Sequence, residues 1–231
     1  MNVLVTGASR GLGFSLVKRF LVGGATVFAG VRTLSTGSHL QKLREAHPNA
    51  LDILELDVTK EAMVREARRE VGARVNTVDV LINNAAVLLG RDDSIYNLDL
   101  NAVEETINVN LLGPIRVATQ FSGLIRNSKC PRILNVSSEA ASFGTSGRAN
   151  YAYSVSKAAL NMFTRILRNE LDSTARVYAV HPGRMRTDMG MAEFPLHPDE
   201  VAESIYQLVV GDVEVTDGSW FIDQRGQPMP L

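Results

Sequence analysis

Tyr153 and Lys157 stand four residues apart in the stretch ANYAYSVSK, residues 149–157. On a helix that spacing puts both side chains on one face. Tyr151, six residues before the lysine, points elsewhere. A free phenol titrates near pH ~10 and gives up its proton poorly at neutral pH. A neighbouring ammonium favours the phenolate, so Lys157 is expected to lower the pKa of Tyr153. Upstream, NVSSEAASFG (135–144) offers Ser138, whose hydroxyl can hold a carbonyl oxygen. A tuned phenol beside a held carbonyl suits protonation of the oxygen as the carbonyl is reduced.

A reductant needs a site of its own, and VLVTGASRGLGFSLVKRF (3–20) reads as strand, glycine loop, helix. Gly7, Gly11 and Gly13 let the backbone turn sharply and approach a pyrophosphate, whose charge suits a helix N-terminus. A site for NAD places Asp or Glu about 20 residues further on, at the ribose 2′-hydroxyl; a site for NADP places Arg there. This chain has Arg32 after its second apolar run, and no Asp or Glu between Met1 and Glu45. Arg10, inside the loop, adds a second cation for a 2′-phosphate. The expected cofactor is NADP(H), with hydride passing between a nicotinamide and a small-molecule carbonyl substrate.

These residues need a scaffold that gathers them. Apolar runs at 2–6, 26–31, 51–56, 78–83, 132–137, 176–181 and 219–223 are rich in Val, Ile and Leu, as strands buried on both faces are. Helix-length segments lie between them, at 11–22, 38–46, 60–71, 101–127, 153–172 and 198–210. Regular alternation predicts an α/β fold, a Rossmann-like, doubly wound, seven-stranded parallel sheet with helices on both faces. Gly23-Gly24 predicts a left-handed stop to the first helix. Pro198, Asp199 and Glu200 predict the start of the last. No linker or repeat divides the chain, so residues 1–231 are expected to form a single domain. INNAA (82–86), NVSS (135–138) and HPGRMRTDM (181–189) then fall at the carboxyl ends of strands, where open α/β sheets bind ligands.

Composition removes other classes. Net charge is −1, with no pull toward nucleic acid or an acidic membrane surface. The single cysteine allows no internal disulfide and no cysteine zinc cluster. Four scattered histidines never reach metal spacing, so no metal is expected. No apolar run is long enough to span a membrane, and MNVLVTGAS lacks the features of a signal peptide. A cytoplasmic protein is expected. His181, before Pro-Gly, reads as a turn residue.

TGASRGLG, LDVT, NNAA, NVNLLG, NVSS, YSVSK and HPGRMRTDM follow one another in the order seen in the short-chain dehydrogenase/reductase family, which the chain resembles along essentially its whole length. The ending DGSWFIDQRGQPMPL resembles the close of the sniffer/C-factor-like carbonyl reductases. The resemblance implies that Tyr153 is the acid/base, that Lys157 binds the nicotinamide ribose, and that Ser138 orients the carbonyl. It implies that Asn110 supports a proton relay through a bound water. Gly7, Ser9, Arg10, Gly11, Leu12 and Gly13 would form the phosphate loop, and Arg32 the preference for NADP. Asp57 and Val58 would lie near adenine, Asn83 near its ribose, and Pro182, Met185 and Thr187 near the nicotinamide. Asn110 and Asp57 have plainer readings too, as the satisfier of a helix kink and the cap of a turn.

Two departures stand out. Ala86 takes a position where the family often has glycine. Ser138 lies fifteen residues before Tyr153, a little more than usual, which leaves Ser137 and Ser138 both open as the active hydroxyl; the family pattern selects Ser138. The segment between Thr187 and Pro198 is short, which predicts an open cleft, with Met189, Met191 and Phe194 as candidate apolar wall. A homodimer through helices 101–127 and 153–172 is what the resemblance implies, with Arg116, Gln120, Arg165 and Arg168 on their outer faces. The reading is an NADPH-dependent reductase of ketones or aldehydes. Its alternatives are a specific biosynthetic dehydrogenase or 3-oxoacyl reductase, and a non-catalytic NADP-binding sensor.

Overall fold

A computed structural model describes residues 1–36, 38–144, 150–171, 174–190, 193–211, 213, 215–216 and 218–231. Its strands are β1 (Asn2–Thr6), β2 (Thr26–Val31), β3 (Leu51–Glu55), β4 (Val80–Asn83), β5 (Arg132–Val136), β6 (Arg176–His181) and β7 (Phe221–Asp223). All neighbours pair in parallel, in the order β3-β2-β1-β4-β5-β6-β7. The order reverses between β1 and β4, so their carboxyl ends frame the crevice in which such sheets bind ligands.

Helices α1 (Gly11–Val22), α2 (Ser38–Ala46) and α7 (Pro198–Val210) cover one face of the sheet. Leu16, Val17 and Phe20 of α1 pack there with Leu40 of α2 and Val201 and Ile205 of α7. Helices α3 (Glu61–Arg74), α5 (Gly113–Arg126) and α6 (Tyr151–Leu171) cover the other face. Val64 and Val71, Val117 and Phe121, and the partly buried Phe163 and Leu167 join the core on that side. Two buried layers explain why the strands read as continuous apolar runs.

The helix ends follow local chemistry. Ala25 N donates to Phe20 O at 3.0 Å and Gly24 N to Leu21 O at 2.9 Å, a Schellman closure of α1. The left-handed residue is Gly24, at φ +76°; Gly23 keeps φ −76°. At α7, His197 Nδ1 accepts from Asp199 N and the Glu200 carboxylate accepts from His197 N, ahead of Pro198.

Several expected boundaries move: among them, α6 begins at Tyr151, ahead of the expected 153, and α3 runs to Arg74, past the expected 71. The strand expected from residue 78 begins at Val80, because Val78 N donates to Leu124 O on α5 rather than to a neighbouring strand. The last strand is only Phe221–Asp223. The single helix expected over 101–127 is instead α4 (Leu100–Ile107), a π-turn over Asn108–Leu112, and α5. Pro114 has no N–H to give the Asn110 carbonyl, so a regular α-helix cannot run through this point. Residues 172 and 191, the expected end of α6 and one expected apolar wall residue, lie outside the described residues.

Candidate active site

The glycine loop joins β1 to α1. Gly7 holds φ +65°, and a Cβ there would come within 2.8 Å of Ala85 Cα. At Gly13 a Cβ would stand 2.3 Å from Gly7 O, so the helix can close on the strand only without a side chain. Arg10 occupies the N-cap of α1 without a capping hydrogen bond. The leading amides of α1 therefore keep their donors for an anionic ligand, as a pyrophosphate cradle requires. Asn84 locks the loop in place, donating from Nδ2 to Thr6 O at 3.0 Å and Gly7 O at 3.1 Å. In return Thr6 Oγ1 accepts from Asn84 N and Ala85 N.

On the far side of the crevice, the segment after β6 meets this loop. The methyl of Thr187 lies 3.6 Å from where a Cβ on Gly11 would stand. Arg10 Nη1 pairs with Asp188 at 2.7 Å, both side chains well exposed. Arg32 is exposed at the end of β2, with no ion-pair partner among the described residues.

Tyr153 lies on the first turns of α6, directed by Asn150 in the left-handed region at φ +66°. Asparagine tolerates that conformation better than other residues with a Cβ. Ser154 N donates to Asn150 O at 2.8 Å as the helix begins. Tyr153 is half-buried, and that burial raises its pKa above the ordinary 10.0. The Ser138 hydroxyl and the Arg91 guanidinium pull the other way, toward the phenolate. Lys157 is 2% exposed; burial lowers its pKa from 10.5 to about 7. Its Nζ donates to Val136 O, at the end of β5, at 2.7 Å and sits 5.6 Å from the Tyr153 ring centre. At Tyr153, burial outweighs both Ser138 and Arg91.

The serine pair divides cleanly. Ser137 is buried, and its Oγ donates to Asn161 Oδ1 at 2.6 Å. Ser138 is half-buried beside Tyr153, and its Oγ accepts from Ala140 N at 3.1 Å. Glu139 N donates to His181 Nδ1 at 3.1 Å, so His181 fixes the turn that presents Ser138.

Glycine cradle, serine, tyrosine and lysine thus meet along one sheet edge, and a family model described as short chain dehydrogenase matches residues 1–196. The chain belongs to the short-chain dehydrogenase family. An uncharacterised oxidoreductase of Schizosaccharomyces pombe is 36% identical over 192 residues, 80% of this chain and 74% of that protein. An NADPH-bound carbonyl reductase from chicken fatty liver superposes with a TM-score of 0.90 at 29% identity, covering 100% of this chain and 98% of that one. The carbonyl reductase Sniffer of Drosophila melanogaster superposes with a TM-score of 0.91 at 26% identity, covering 100% and 99%.

In this short-chain dehydrogenase the remaining expected residues fall into two groups. Ser9 is half-buried in the glycine loop, and Leu12 and Gly13 are buried beneath it. Pro182 is buried, and Met185 packs on the core beside α7. Other side chains are committed to the protein. Asp57 Oδ1 caps its own turn, accepting from Thr59 N at 2.9 Å and Thr59 Oγ1 at 2.7 Å. Val58 is buried under Gly113, and its carbonyl accepts from Arg116 Nη1 at 3.3 Å. Asn83 Nδ2 donates to Asn135 Oδ1 at 2.8 Å, and Asn135 Nδ2 to Thr164 Oγ1 at 2.9 Å. Asn110 is fully buried: its Oδ1 accepts from Val87 N at 2.8 Å, and its Nδ2 donates to Val87 O and Ser156 Oγ.

Asn84, Asn161 and Arg91 are site residues that sequence reasoning missed. Asn84 sits inside the NNAA motif, whose position at a strand end was the available signal. Arg91 has no such signal: it lies in a loop, and only the tertiary fold carries it toward Tyr153.

Proposed function

We propose that this short-chain dehydrogenase is an NADPH-dependent reductase of ketones or aldehydes, with Tyr153 as general acid. The observation that carries the reading is Ser138 beside Tyr153 on the sheet edge shared with a glycine loop whose helix has no side-chain cap on its leading amides. The NADPH-bound chicken carbonyl reductase, similar over both whole chains, supports the cofactor and the carbonyl substrate. Gly7, Ser9, Gly11, Leu12 and Gly13 would hold the pyrophosphate; Arg32 and Arg10 would hold the 2′-phosphate. Asp57, the Val58 backbone and Asn83 would border the adenosine, and Pro182, Met185 and Thr187 the nicotinamide. NADPH, when bound, supplies the hydride.

Ser138 and Tyr153 hold the substrate oxygen between two hydroxyls. Tyr153 gives that oxygen its proton as charge develops there. A phenol whose pKa burial has raised is protonated and ready to donate at neutral pH. Lys157, its pKa lowered by burial to about 7, is placed to favour the phenolate after donation and to bond a ribose hydroxyl. Both amide donors of Asn110 are engaged, so its part in returning a proton to Tyr153 would run through the backbone carbonyl that Pro114 leaves without an α-helical donor.

The protein is proposed to work in the cytoplasm as one NADP-binding domain, and as a homodimer. Val155, Met162 and Ile166 lie exposed on α6, which favours a partner. The arginines expected on that face are partly occupied elsewhere: Arg116 bonds Val58 O and Asn108 O, and Arg168 bonds Val177 O and Ser219 O.

NADPH oxidation across a panel of ketones and aldehydes tests the function. Tyr153→Phe is expected to cut turnover about 10²–10⁴-fold while NADPH still binds. Tight NADP(H) binding without turnover of any carbonyl would instead favour a sensor.

A further inference from the structure

Arg91 stands on the loop after β4, at the ligand-binding edge, and is half-buried. Its Nη2 donates to Met189 O at 2.6 Å, on the segment after β6. The guanidinium therefore bridges two walls of the cleft. The start of its loop is pinned, because Val87 exchanges two hydrogen bonds with the Asn110 amide. Its charge reaches Tyr153, so it lies within electrostatic range of the proton donor.

Two other arginines of this edge are neutralised: Arg184 by Glu139 at 2.7 Å and Arg10 by Asp188 at 2.7 Å. Arg91 has no carboxylate partner among the described residues, and its neighbour Asp93 accepts from Asp99 N instead. One neutral carbonyl uses one of its five donors. A half-buried, unneutralised guanidinium with free donors matches a planar anion that takes two parallel hydrogen bonds.

We propose that Arg91 binds a carboxylate of the substrate, so that this enzyme prefers carbonyl compounds bearing an acid group a few bonds from the reacting carbon. The carboxylate anchors the molecule while Ser138 and Tyr153 hold the carbonyl oxygen. Fixing both ends restricts the substrate to poses in which the carbonyl faces the phenol. The inference rests on the proposed reductase activity.

The test is NADPH oxidation with aliphatic γ- and δ-oxo acids and with their methyl esters, in the wild type, Arg91→Gln and Arg91→Lys. The acids are expected to exceed their esters about 10- to 100-fold in kcat/KM, mainly through KM, the size of a charge-assisted hydrogen bond. Arg91→Gln removes that preference, lowering the acids' kcat/KM by the same factor and the esters' far less. Arg91→Lys, which keeps the charge without the fork, recovers part of it. Equal turnover of acids and esters by the wild type overturns the inference and leaves the reductase reading standing. So does an equal loss for both classes in Arg91→Gln, which would mark Arg91 as a clamp on Met189. Absence of turnover for any carbonyl, with NADPH bound, overturns both.

Discussion

Lys157 Nζ is bonded to Val136 O at 2.7 Å and lies 5.6 Å from the centre of the Tyr153 ring. The two residues share a helix face, as their spacing dictates. The ammonium nevertheless bonds the end of β5, and burial lowers its pKa to about 7.

That pKa has a consequence for stability. Below pH 7 the folded and unfolded chains both hold the lysine proton, and the folded state carries the full cost of a buried cation. Between about 7 and 10.5 the unfolded chain binds more protons, so stability rises with pH. Tyr153, raised above its ordinary 10.0, adds an opposing slope only at higher pH. Lys157→Met should therefore stabilise the cofactor-free protein at about pH 6 by up to about 5 kcal/mol, less the cost of leaving Val136 O without its donor. The gain should shrink by about pH 9, as read by denaturant unfolding at the two pH values.

Ser137 and Ser138 should separate by readout. Ser138→Ala removes a hydroxyl that faces Tyr153 and should lower kcat with little change in Tm. Ser137→Ala leaves Asn161 Oδ1 without its donor in a buried site. It should cost about 1–3 kcal/mol of stability with a smaller effect on kcat. Thermal unfolding together with steady-state rates distinguishes them.

Asn110→Leu strips Val87 N and Val87 O of their partner in the interior, while Ser156 Oγ keeps its bond to Tyr153 O. A loss of roughly 3 kcal/mol or more is expected in denaturant unfolding. Amide exchange should quicken in the segment after β4, whose start Asn110 holds.

Arg32→Asp should weaken NADPH far more than NADH in titrations followed by cofactor fluorescence; equal loss would sink the 2′-phosphate assignment. Arg10→Ala should weaken NADPH less, because Arg10 already has Asp188 as a partner. That exposed pair is worth at most about 1 kcal/mol, so Asp188→Asn should leave Tm almost unchanged while binding NADPH somewhat more tightly.

Much of this was written in the sequence, because the determining forces are local. Alternating apolar runs specify a two-faced parallel sheet, and seven such runs became seven strands. Gly7 and Gly13 are glycines because a positive φ and a close approach leave no room for a Cβ. The i, i+4 rule separated Tyr153 from Tyr151 on geometry alone. Other features needed the folded chain, since they depend on groups far apart in sequence. Ser137 and Ser138 are adjacent and identical in type; only Asn161, across the packed helix, decides which one is buried. Lys157 was expected to lower the pKa of Tyr153, but its distance from water and its bond to Val136 O are tertiary facts. The π-turn at Asn110 had a local cause in Pro114, yet its anchoring to Val87 did not. Arg91 has no periodicity to mark it and reaches the site only because β4 and β6 end at the same edge, where charge acts through space rather than along the chain.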